Sequence, residues 1–228
     1  MITARPVRVY LGALLGRYWY MHEGSFAMTC DCRFRDADGS RAVPGVVGIV
    51  HFPKLNVAAS LAVRYLDFSS VFRYRESRWT IIEPDSLLPS VDTLIAYEKM
   101  SDVRLRTLRF TPSVSWYVPR TSVYLMGGID LGWNIEASYD NEERVLTPGF
   151  GYRNGTPRDT LLARCDIPGG KRLAVGLQAG AGVEIHLTPW FMIVPRAHIA
   201  VPLTAVSSTD RTWRVVAAQA DLLLLVRL

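Results

Sequence analysis

Between residues 173 and 187 the chain sorts its side chains by parity. Leu173, Val175, Leu177, Ala179, Ala181, Val183, Ile185 and Leu187 hold the odd positions, while Arg172, Ala174, Gly176, Gln178, Gly180, Gly182, Glu184 and His186 hold the even ones. Successive side chains of a strand point to opposite faces, so this segment has one wholly apolar face and one of small or polar residues; a helix would mix the two sets. The same sorting runs through 123–135, where Val123, Leu125, Ile129, Leu131, Trp133 and Ile135 oppose Asp130, Gly132 and Asn134. It returns in 191–203, with Ile193, Ala197, Ile199 and Val201 against Arg196 and His198, and in 216–228, where Leu222, Leu224 and Val226 oppose Gln219, Asp221 and Arg227.

Earlier segments follow the rule less cleanly at 7–20, 42–52, 55–68 and 103–117, which brings the expected strands to eight. The connections fall into two classes. Three are tight and contain proline, around Pro53, Pro119 and Pro189; the others, 22–41, 69–102, 138–171 and 204–211, are long and polar. Short and long alternate, so an up-and-down arrangement places all short turns at one end and all long loops at the other. Within 69–102, residues 71–75 and 79–82 are expected to extend the flanking strands as an exposed hairpin.

About half of the 228 residues are apolar (49%), yet no run approaches the roughly 18 apolar residues that a membrane-spanning helix requires. Apolar content delivered instead as one face of many strands is the signature of a membrane β-barrel. The expected fold is all-β: one domain over 1–228, an eight-stranded antiparallel up-and-down transmembrane β-barrel with short periplasmic turns and long extracellular loops. A soluble barrel keeps its large apolar side chains inside; here the glycine-rich, charged face suits a narrow lumen and the Leu/Val/Ile face suits lipid.

That assignment sends Arg8, Arg64, Arg109, Asp130, Glu184, His186, Arg196, His198, Asp221 and Arg227 inward. Buried charges need partners, and an eight-stranded barrel has room for little beyond side chains. An arginine–carboxylate network plugging the lumen is therefore expected, not a channel. Aromatic residues gather near strand ends, among them Tyr18, Trp19, Tyr20, Phe52, Tyr65, Phe68, Trp116, Tyr117, Trp133, Trp190, Phe191 and Trp213, as the headgroup zone favours.

Three segments carry a family likeness: Phe26-Ala27-Met28-Thr29-Cys30-Asp31-Cys32-Arg33-Phe34, the strand from Val103 through Pro112, and Tyr124-Leu125-Met126-Gly127-Gly128-Ile129-Asp130-Leu131-Gly132. The chain resembles the porin-like outer-membrane β-barrel proteins of Bacteroidetes and Chlorobi-type bacteria, OmpA-like in their eight strands. The resemblance implies fold and outer-membrane location and no particular activity. No OmpA-type peptidoglycan-binding domain is expected after the last strand. The start, Met1-Ile2-Thr3-Ala4-Arg5-Pro6, lacks the layout of a secretory signal, so an exported form is expected to be the mature one.

Chemistry-bearing patterns are sparse. His22, Glu23 and Ser25 form a nucleophile–base set only if folding brings them within hydrogen-bond reach. His186 and His198 face inward together under the parity rule but lack a third metal ligand. The glycines of 149–155 have no phosphate-loop Lys after them and read as a surface loop. Gly16-Arg17-Tyr18-Trp19 misses the lipocalin Gly-x-Trp spacing by one. Cys30, Cys32 and Cys165 allow one bridge, from Cys165 to either of the others, or unpaired loop thiols.

The formal charge of +5 is spread without a basic run or aromatic platform, which argues against nucleic acid and fits anionic lipopolysaccharide. The expected function is thus non-enzymatic, with no cofactor or metal: an outer-membrane scaffold contacting lipid, lipopolysaccharide and a protein partner through its external loops, or a subunit of an envelope complex. A lipid-modifying enzyme and a narrow channel are the alternatives.

Overall fold

A computed structural model describes residues 7–27, 33–82, 91–152, 156–209 and 212–228. They form one antiparallel sheet of eleven strands: β1 (Arg8–Ala27), β2 (Arg33–Phe52), β3 (Val57–Asp67), β4 (Ser70–Ile82), β5 (Val91–Tyr117), β6 (Val123–Val145), β7 (Arg158–Asp166), β8 (Leu173–Val183), β9 (Ile185–His186), β10 (Phe191–Pro202) and β11 (Arg214–Arg227). Eight of them close a ring in the order β1, β2, β3, β5, β6, β8, β10, β11, and β11 pairs back onto β1 from Tyr10↔Arg227 to Glu23↔Arg214. Closure removes the unpaired edges that an open sheet would present. The chain is an all-β, eight-stranded, antiparallel up-and-down barrel.

The short turns lie together at one end. Asn56 (φ 52°) and Arg120 (φ 65°) take the left-handed conformation that lets two of them reverse direction, and Thr188 caps the third by accepting the Phe191 N–H at 3.0 Å. Both described ends of the chain sit here, where the Leu228 N–H donates to the Val9 carbonyl.

The opposite end stands higher than the alternation implied. Three of the four long connections are not loops: β1 and β2 keep pairing up to Ala27↔Arg33, β4 pairs the upper half of β5, and β7 pairs the upper half of β6. Residues 71–75 and 79–82, expected as the two arms of an exposed hairpin, instead run as one continuous strand, β4, whose partner is β5. At roughly 3.3 Å per residue, β5 climbs about 50 Å along its own axis above Arg106. These extensions mix polar and apolar residues on both faces, so parity carries no clean hydrophobic signal there although the backbone ladder continues. A bulge adds to this: Arg106 opposes Glu136 and Thr107 opposes Asn134, leaving Ile135 extra. Inward positions on β6 switch from even to odd there, and Tyr139, Asn141, Glu143 and Val145 turn in above it.

Outside, the ring strands carry an apolar band. Val9, Leu11 and Leu15 on β1, Leu125 and Ile129 on β6, Leu177 on β8, Ile199 on β10 and Leu222 and Leu224 on β11 are all exposed. The aromatic residues expected near strand ends divide in two. Trp116 and Trp190 near the short turns, and Trp19, Tyr65 and Trp133 higher up, lie on the outer face as two girdles; Tyr18, Tyr20, Phe68, Tyr117 and Trp213 instead pack inside. From Val123 to Ile135 a strand tilted about 40° rises about 30 Å, the thickness of a bilayer's hydrocarbon core. Apolar outside and charged within is the build of an outer-membrane barrel.

Ring closure depends on close strand approach at Gly12, where an added Cβ would lie 1.9 Å from the Leu224 carbonyl oxygen; at Gly48 nothing stands within 4 Å. Gly12→Ala should lower stability by about 1–3 kcal/mol in urea unfolding of the refolded protein, with Gly48→Ala within about 0.5 kcal/mol of the parent.

Candidate functional site

The lumen is stacked in three layers. Nearest the short turns is an apolar plug of Tyr10, Leu14, Val47, Ile49, Met126, Met192, Val194, Leu223 and Leu225. At the raised end is a second, with Tyr18, Tyr20, Phe68, Phe72, Leu105 and Trp213. The densest charge lies at the level between them, so the expected network centres on the middle of the lumen, with Glu184 below it and Glu98 and Glu143 buried above it. Inward positions such as Leu223 and Leu225 escaped the sequence reading because Leu occurs on both faces of β11.

Asp221 on β11 is the hub of the middle layer. One carboxylate oxygen accepts from Arg64 of β3, across the lumen, and from Arg196 of β10, each at 3.0 Å, and its other oxygen accepts from Gln219. Arg64 also donates to Thr111 at 3.3 Å. Arg109 pairs with Asp130, and its guanidinium lies 4.9 Å from the Phe68 ring centre. His198 is buried beside this group, 3.9 Å from Asp221.

Of the ten residues expected inward, six converge here: Arg64, Arg109, Asp130, Arg196, His198 and Asp221. Glu184 lies lower and accepts from the Tyr117 hydroxyl. Arg8 and Arg227 are half-buried near the short-turn end. His186 departs from the expectation. It is exposed in the two-residue β9, where the strand has broken at Glu184 and no longer obeys the β8 parity, so it stands about 20 Å along β10 from His198 and cannot share a ligand with it.

His22 does not serve as a base. It is fully buried, its Nδ1 accepts the Trp213 Nε1–H at 3.1 Å and its Nε2 donates to the Phe68 carbonyl at 2.9 Å. Both ring nitrogens are engaged, and Glu23 lies on the outer side of β1. The Tyr20 hydroxyl donates to the Ser69 carbonyl at 2.7 Å. Phe68 and Ser69 are where β3 gives way to β4, so His22 and Tyr20 satisfy carbonyls that this interruption removes from the ladder. Cys165 packs against the upper plug, whereas Cys30, Cys32 and residues 153–155 of the glycine loop lie outside the described residues.

Above the ring, β4 to β7 form a raised sheet laced by ion pairs of both signs. Lys99 meets Glu76 at 3.0 Å, Arg75 meets Glu98 at 2.9 Å and Arg104 meets Asp140 at 2.9 Å, while Arg78 pairs with Glu143 and stacks 4.2 Å from the Tyr97 ring centre. The Tyr152 hydroxyl donates to Glu143 at 2.7 Å, and burial together with that carboxylate raises its pKa above the ordinary phenol value. Beyond the ion pairs, Trp79 stands 72% exposed directly opposite Leu94, with Ile81 beside them.

Removing the hub carboxylate strands two buried guanidinium groups. Asp221→Asn should therefore destabilise the barrel by about 3–5 kcal/mol, whereas Arg106→Gln, in an exposed pair with Glu136, should cost about 1 kcal/mol or less; urea midpoints measure both.

No family model and no curated protein matches the sequence. Among solved structures, the chain is similar to neisserial surface protein A (12% identity over 96% of each chain, TM-score 0.42). It is also similar to the attachment invasion locus protein Ail of Yersinia pestis (12%, 97% of each chain, TM-score 0.34) and to the outer membrane protease OmpT from Escherichia coli (7%, 99% of this chain and 96% of that one, TM-score 0.32).

Proposed function

We propose that this chain is a non-enzymatic outer-membrane scaffold, of the porin-like class its strands resemble, that presents a raised ion-paired sheet to a partner outside the cell. The observation that carries the reading is the inverted partition of side chains: an apolar band bounded by aromatic girdles faces out, and the buried charges face in. In a bilayer the short turns and both described ends of the chain then lie on the periplasmic side, and the raised sheet lies outside.

The packing of the lumen supports a scaffold over a channel. Two apolar plugs with a charge layer between them count against a continuous wet path for ions. Rigid walls carrying a projecting polar sheet with aromatic and aliphatic side chains at its tip suit recognition, since Trp and its neighbours contribute large contact area at low entropic cost. The lipid envelope itself, lipopolysaccharide included, is the other partner.

If the band faces lipid, a cation placed in it is penalised according to depth. Ile129→Arg, midway up the band, should lower folding stability in vesicles by about 2–4 kcal/mol, and Val123→Arg, at its lower edge, by about 1 kcal/mol or less. Equal effects at the two sites would contradict a bilayer-spanning barrel.

A further inference from the structure

The wall of the barrel is interrupted at one place. β7 ends at Asp166 and β8 begins at Leu173, and both face β6. Across the gap the Ile167 N–H donates to the Ala137 carbonyl at 3.0 Å and the Asn134 N–H to the Arg172 carbonyl at 2.8 Å, so 168–171 loops out of the wall opposite the Ile135 bulge. The loop is held firmly: Lys171 N–H donates to the Val206 carbonyl at 2.9 Å, Ser208 N–H to Gly169 at 2.8 Å, and the Asn134 side-chain amide to the Lys171 carbonyl at 2.6 Å. Between bulge and loop lies a crevice of about 420 Å³.

Three charged side chains line it: Lys171, Arg172 and Asp166. Among the described residues, neither Lys171 nor Arg172 takes part in an ion pair, whereas Arg75, Arg78, Arg104 and Arg106 of the raised sheet do. The next rung of the ladder toward the apolar band is Trp133↔Leu173, both exposed, with Ile135 exposed beside them. A cationic crevice thus opens at the top edge of an apolar wall, at the upper aromatic girdle.

We propose that this crevice seats the phosphate of a phosphorylated outer-leaflet glycolipid, with Lys171 and Arg172 on the phosphate and an acyl chain lying along Trp133, Ile135 and Leu173. The inference rests on the membrane reading above and adds a located site to it. Cations bind phosphate through charge-assisted hydrogen bonds. Asp166 opposes them, and the single excess positive charge selects a phosphate that also brings apolar surface over a free phosphate ion.

The test uses the full chain refolded in neutral detergent micelles, titrated with diphosphoryl lipid A or its dephosphorylated counterpart and read by native mass spectrometry. Diphosphoryl lipid A should bind about tenfold more tightly than the dephosphorylated form. K171Q/R172Q should abolish that preference without changing heat-modifiable migration, and D166N should strengthen it. An unchanged preference in K171Q/R172Q would overturn the site while leaving the membrane reading intact. Displacement of the lipid by millimolar inorganic phosphate would show a free-phosphate site instead. A chain that never enters micelles would overturn the membrane reading, and this proposal with it.

Discussion

Asp221 is the point through which the barrel is tied across its own lumen. It stands on the last ring strand and reaches Arg64 on β3 and Arg196 on β10, so three strands that are not all neighbours share one carboxylate. A charge taken out of water needs a partner of good geometry, and this one has several. Gly16 makes room for it on β1: a Cβ there would lie 2.2 Å from the Asp221 carboxylate. With three arginines and two aspartates gathered at one level, much of the lumen above and below is filled by apolar side chains.

The inside and outside of the wall therefore obey different rules. Outside, apolar side chains are spread evenly around the ring and end at rings of Trp and Tyr, a surface that water would penalise and lipid would not. Inside, apolar and charged groups alternate by height. Above the girdles the constraint of lipid ends, polar and apolar residues mix on both faces, and the strands continue as a sheet supported by ion pairs, each of them weak alone and held together by the ladder beneath.

Parity sufficed to read the ring. The expected segments 173–187, 191–203 and 216–228 differ from the observed strands by a few residues at their ends, and the outward set, Leu177, Ile199 and Leu222 among them, is exposed as parity requires. Parity fails where its physical cause is absent. The raised extensions have no apolar face to mark them, the Ile135 bulge reverses the rule within β6, and the break at Glu184 releases His186 to the surface. His22 drew notice for its neighbours in sequence, but its partners Phe68 and Trp213 are distant in the chain, and only the closed ring brings them together. Lys171 and Arg172 gave no signal because the feature that groups them is a gap between strands, not a motif.

The central claim, that an apolar outer wall requires a lipid-like surrounding for the ring to close, is tested most directly by gel migration of the protein refolded with and without detergent micelles. A compact, fast-migrating species that forms only with micelles and is lost on boiling is the predicted result. A monodisperse, folded monomer in detergent-free buffer would contradict it.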